Sequence, residues 1–99
     1  MDDNTIRVAV RAWLADPASA EAQYGHISEW DVSNVTNMEE MFWSAKTFNS
    51  DLSKWDVSNV WTMSGMFCNA KSFNADLSKW DVSNVTNMLG MFSEAKSFN

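Results

Sequence analysis

Three aspartates, Asp31, Asp56 and Asp81, recur at intervals of 25 in a chain of 99 residues, each inside the phrase Trp-Asp-Val-Ser-Asn. A row of carboxylates could do two kinds of chemistry: hold a cation, or divide acid–base work. If neighbouring units stack at strand spacing, the carboxylates stand ~4.7–4.9 Å apart, a ladder of like charges that is costly unless offset. A bound metal ion is one offset. The other is local: each carboxylate accepts from backbone N–H groups two or three residues on, while Ser58 or Asn59 caps the start of a helix. The local reading is preferred, with the cation row Asp31–Asp56–Asp81 as its alternative. Acid–base catalysis needs carboxylates in unlike environments, and this repeat supplies one environment three times.

Little else in the chain could react. His26 and Cys68 are each single in their type, so no disulfide, zinc site or nucleophile–histidine pair can be assembled. No cofactor and no enzymatic activity are expected. Thirteen acids against seven bases give a formal charge of −6, which repels phosphate backbones and anionic lipids. No nucleic-acid partner is expected. No run approaches ~18 apolar residues, so membrane insertion is not expected either. The opening Met1-Asp2-Asp3-Asn4 carries acids where a signal peptide carries bases, so the chain names no compartment.

The elements that must position these residues follow from the repeat. Trp30, Trp55 and Trp80 are 25 apart, as are the apolar sets at Ile27, Val32, Val35, Met38, Met41, Phe42, Ala45 and Phe48. Identity held in register without insertions marks a repeat array in which each unit buries its neighbour's apolar face. Three units result, 27–51, 52–76 and an incomplete 77–99, in one domain. Within a unit, Trp55 and Val57 alternate as in a short strand, whereas Val60, Met63, Met66, Phe67 and Ala70 follow helical spacing. Strand, turn, helix and loop in register imply parallel strands joined by right-handed crossovers. Asn49, Asn74 and Asn99 form a further row of amides in the loops. Residues 1–26 lie outside the repeat and read as an N-terminal helical cap. Ile6, Ala9, Val10, Trp13 and Leu14 mark one helix, with Asp3 or Asn4 as its N-cap. A second helix starts at Asp16-Pro17 and stops near Gly25.

The Trp-Asp dipeptide suggests a propeller, but a propeller blade needs ~40–45 residues. The opening L-x-x-W-x-V-x-x-V is similar to that of leucine-rich repeats. The full unit, LSxWDVSNVTNMxxMFxxAxxFNxD, resembles the repeat of BspA-like surface proteins, a divergent branch of that superfamily, over about 27–99. The expectation is an α/β fold: a right-handed leucine-rich-repeat-like solenoid of short parallel strands, each followed by a helix. The resemblance also implies adhesion or protein binding at a cell surface, or outside the cell, and no catalytic residues.

Departures from the repeat are the better functional clues. Trp43 stands where the other units have Cys68 and Ser93, and Trp61 where they have Thr36 and Thr86. On the expected helices both indoles face away from the apolar stripe, as does the Cys68 thiol, which suits interaction hot spots. The polar face carrying Ser53, Lys54, Asp56 and Ser58 suits plain solvation, with contact to a polar peptide or a glycan as the alternative. The sequence stops inside the third unit, so Trp80, Val82, Val85, Met88, Met91 and Phe92 either belong to a longer array or face water, and the expectation is self-association through this end. The functional expectation is a non-enzymatic scaffold for protein–protein interaction or adhesion. The alternative is a structural protein whose copies join end to end through that last repeat into oligomers or fibres.

Overall fold

The computed structural model describes residues 1–98. Asn99, with its place in the asparagine row and in the third repeat, lies outside the described residues.

Two helices open the chain. Helix α1 (Asp3–Ala15) starts at Asp2, not at Asp3 or Asn4. The Asp2 carboxylate accepts from the amides of Asn4 and Thr5, at 3.0 and 2.8 Å, while the Thr5 hydroxyl accepts from the Asp2 amide at 2.8 Å. This reciprocal cap leaves Asp3 free for another role. Ile6, Ala9, Val10 and Trp13 are buried on one face, whereas Leu14 is exposed. Helix α2 (Pro17–Tyr24) begins as its sequence demands, with Asp16 accepting from Ser19 and Pro17 in the first turn. It ends at Gly25, whose φ of +81° lies in a region that L side chains avoid.

Beyond α2, one 3-10 turn at Ile27–Glu29 is the last helical element, and there is no strand among the described residues. Isolated parallel bridges link Asn37 to Thr62 and Thr62 to Asn87, and among the described residues they do not extend into strands. The expected leucine-rich-repeat-like solenoid of parallel strands and helices is therefore not the fold. Each repeat is instead a coil of consecutive turns: coil 1 (27–51), coil 2 (52–76) and coil 3 (77–98).

Local chemistry explains both corrections. The strand fails because Asp51 and Asp56 bend the chain by accepting from the amides of Ser53 (2.8 Å) and Ser58 (3.0 Å). Bonds from Trp55 N–H to Leu52 C=O and from Val60 N–H to Val57 C=O then close a turn on either side of Trp55. The helix fails because two positions of each coil have positive φ: Glu40 and Ser44, Gly65 and Asn69, Gly90 and Glu94. A left-handed residue cannot continue a right-handed helix, so each turn stops after one i→i+3 bond.

The amides freed by those turns bind the next coil. Met38, Glu40, Phe42 and Ser44 donate to the carbonyls of Thr62, Ser64, Met66 and Cys68 at 2.9–3.0 Å. Met63, Gly65, Phe67 and Asn69 repeat this onto Asn87, Leu89, Met91 and Ser93 at 2.7–3.0 Å. Each ladder runs one way, with the earlier coil donating. One bond runs back at its edge, Trp61 N–H to Thr36 C=O and then Thr86 N–H to Trp61 C=O, both 2.9 Å.

Side chains reinforce the stack. Trp55 Nε1 donates to Ile27 C=O and Trp80 Nε1 to Leu52 C=O, each at 2.8 Å. Asn59 Nδ2 and Asn84 Nδ2 reach Ser33 C=O and Ser58 C=O in the same way. Phe42, Phe67 and Phe92 form a column with centroids 5.5 and 5.7 Å apart and planes within 6°. Phe48, Phe73 and Phe98 form a second at 6.0 and 5.9 Å. Within each coil the two phenylalanines lie 4.0–4.3 Å apart, so the columns make one continuous aromatic core.

Candidate interaction surfaces

The aspartate row serves the turns. Oδ1 of Asp31, Asp56 and Asp81 accepts from the amides of Ser33, Ser58 and Ser83, all at 3.0 Å. The serine hydroxyl and then the serine amide hold each carboxyl below its ordinary value. At Asp56 the like charges of Asp31 and Asp81 oppose this as the smallest causes. A second row does the same work: Asp51 and Asp76 accept from Ser53 and Ser78, and His26 takes that position just ahead of coil 1, with Nδ1 accepting from Ser28 N–H at 3.2 Å. Among the described residues no group of three or more His, Cys, Asp or Glu is placed to hold a metal ion.

The two ends of the stack differ sharply. Helix α1 closes the first coil with charged groups that imitate backbone. The Asp3 carboxylate accepts from Thr36 N–H (2.6 Å), Thr36 Oγ1 (2.7 Å) and Asn37 N–H (3.3 Å). Burial pushes the Asp3 carboxyl upward, but these three bonds together leave it below its ordinary value. Arg7 donates to Glu39 C=O at 2.8 Å and to Asn37 Oδ1 at 3.2 Å. Acceptor and donor thus fill the places that a preceding coil would fill. Asp3 and Arg7 escaped sequence reasoning, since neither belongs to the repeat; the signal was a second acid beside the true cap.

Among the described residues coil 3 has no such cover. Val82 and Met88 are 37% and 44% exposed, against 1% and 0% for their counterparts Val57 and Met63. Val85 and Phe92 are half-buried, while Trp80 and Met91 are buried against coil 2. Leu89, which no repeat position marks as apolar, is 79% exposed where coils 1 and 2 carry Glu39 and Ser64. Among the described residues, the amides of Met88, Gly90, Phe92 and Glu94 have no partner, although their counterparts in both earlier coils donate to the next coil.

Trp43 and Trp61 are 50% and 49% exposed, although the helices from which that exposure was argued do not form. Trp43 lies across coil 2, with Cε3 and Cζ3 placed 3.2 Å from where a β-carbon on Gly65 would be. It also lines a groove of about 430 Å³ with Trp13, Leu14, Pro17 and Phe48, between the cap and coil 1. Trp61 occupies the row Thr36–Trp61–Thr86, on a different coil. Cys68 is half-buried, and its carbonyl accepts from Ser44. No helix among the described residues is long and apolar enough to cross a membrane.

Neither a curated protein nor a solved structure matches the chain. Residues 14–99 match the family model described as Mycoplasma protein of unknown function, DUF285, a span that includes α2 and all three coils. The chain therefore belongs to the DUF285 family.

Proposed function

We propose that this chain is a non-enzymatic protein-interaction module, in which the stacked coils form the frame and the outer face of coil 3 is the contact surface. The observation that carries the reading is the contrast along one set of repeat positions. Val82 and Met88 are exposed where Val57 and Met63 are sealed, and Leu89 adds a large apolar side chain beside them. Contiguous apolar surface next to unsatisfied backbone is what a partner covers. The aspartates support a non-catalytic role: all three sit in one kind of turn and shift in one direction, so no acid is set against a base.

Met88→Lys and Leu89→Lys together test the reading, because these side chains are 44% and 79% exposed on the outer face of coil 3. Proteins retained by the immobilised chain should be lost by this variant, with its melting temperature unchanged. Identical proteins retained by both chains would contradict the assignment of coil 3. The alternative, copies joining end to end through coil 3 into oligomers or fibres, requires for a fibre that coil 3 of one molecule meet coil 1 of another. Helix α1 occupies that side. Filaments in concentrated protein under the electron microscope would restore it.

A further inference from the structure

Resting on the reading of coil 3 as the contact face, we infer that this face is directional: it takes another coil of the same 25-residue repeat whose carbonyl side is uncovered, and does not take a second copy of its own face. Polarity decides this. The four unpaired groups at Met88, Gly90, Phe92 and Glu94 are all donors, placed at every second residue, and the only partners this arrangement uses are carbonyls with the same spacing. In both existing interfaces those carbonyls belong to the following coil, met in parallel and in register.

A two-fold mate would bring donors against donors. The counterparts of the carbonyls used elsewhere at coil junctions lie at Leu77, Ser83 and Thr86, with a spacing that does not fit the row. Symmetric pairing would therefore bury the four amides unsatisfied, a cost that opposes the benefit of covering the apolar side chains beside them. A whole second copy in the parallel sense is excluded by its own α1, which covers the matching carbonyl side of coil 1 through Arg7. An uncapped coil meets every requirement: it presents the carbonyl row, continues both phenylalanine columns and offers a tryptophan Nε1 to Leu77 C=O as Trp80 does to Leu52 C=O.

The probe is a peptide of residues 50–74, added to the full chain and followed by amide hydrogen exchange. Exchange at Met88, Gly90, Phe92 and Glu94 should slow at least ~10-fold in a 1:1 complex, while the chain alone sediments as a monomer. The same 25 residues joined directly after Asn99, which keeps the register, remove the ordering cost and should protect the same four amides. A symmetric dimer of the chain alone with those amides protected would overturn the directionality and leave coil 3 as the contact face. Unchanged exchange in the joined chain would overturn the inference outright. If the Met88→Lys, Leu89→Lys variant then also retains every partner, the underlying reading falls separately.

Discussion

Gly65 carries two constraints that can be separated by mutation. Its φ of +64° disfavours any side chain, and the Trp43 indole leaves a β-carbon only 3.2 Å. Gly90 has a similar φ of +66° with nothing within 4 Å. Gly90→Ala should cost about 1 kcal/mol, the backbone penalty alone, and Gly65→Ala about 2 kcal/mol or more. In a Trp43→Ser background the cost of Gly65→Ala should fall toward that of Gly90→Ala in chemical denaturation, the remainder coming from Glu40 Cγ, 3.3 Å from the added β-carbon. Equal costs in both backgrounds would remove Trp43 from the account. The aspartates give a second prediction. Asp31, Asp56 and Asp81 titrate below their ordinary 3.8 when folded, so the folded chain binds fewer protons than the unfolded chain as pH falls past that value. Their stabilisation is complete above 3.8 and is lost as pH drops through the folded values. Melting temperature should decline more steeply below about pH 4, and less steeply when Ser33, Ser58 and Ser83 are all alanine.

Among the elements, α1 works as a surrogate coil, and Asp3 is its main contact with backbone. Asp3→Ala should cost about 1–2 kcal/mol by stranding the amides of Thr36 and Asn37, with Asp3→Asn recovering part of it. A loss below ~0.3 kcal/mol in denaturant unfolding would mean that water serves those amides equally well. Much of the rest was legible in the sequence. The period of 25, the cap residues Asp16 and Pro17, and the buried sets at Val35 and Val60, Met38 and Met63, Phe42 and Phe67 follow from spacing alone. The elements between them did not follow. Val60, Met63, Met66, Phe67 and Ala70 are buried as a helical stripe would be, yet Gly65 and Asn69 inside that stripe are left-handed. Apolar spacing reports which side chains are buried. It does not report whether an amide pairs four residues back or with the next coil, and here the glycine and asparagine were the only local signs. Of the residues expected on the open face of coil 3, Val82 and Met88 are exposed, but Trp80 and Met91 are buried because coil 2 covers them.

At the scale of the molecule, stability accumulates across interfaces, so position along a column should set the cost of breaking it. Phe67 lies between Phe42 and Phe92 and is fully buried, whereas Phe92 has a neighbour on one side only. Phe67→Ala should cost about 3–5 kcal/mol, and Phe92→Ala less than half as much, by urea unfolding. Equal costs would mean that coil 3 is as well covered as coil 2. The most direct test of the stacked-coil account is amide hydrogen exchange on the chain alone. The account predicts strong protection at Met38, Glu40, Phe42 and Ser44 and at Met63, Gly65, Phe67 and Asn69, with fast exchange at Met88, Gly90, Phe92 and Glu94. Equal protection of all three sets in a monomer, as helices within each repeat would give, would contradict it.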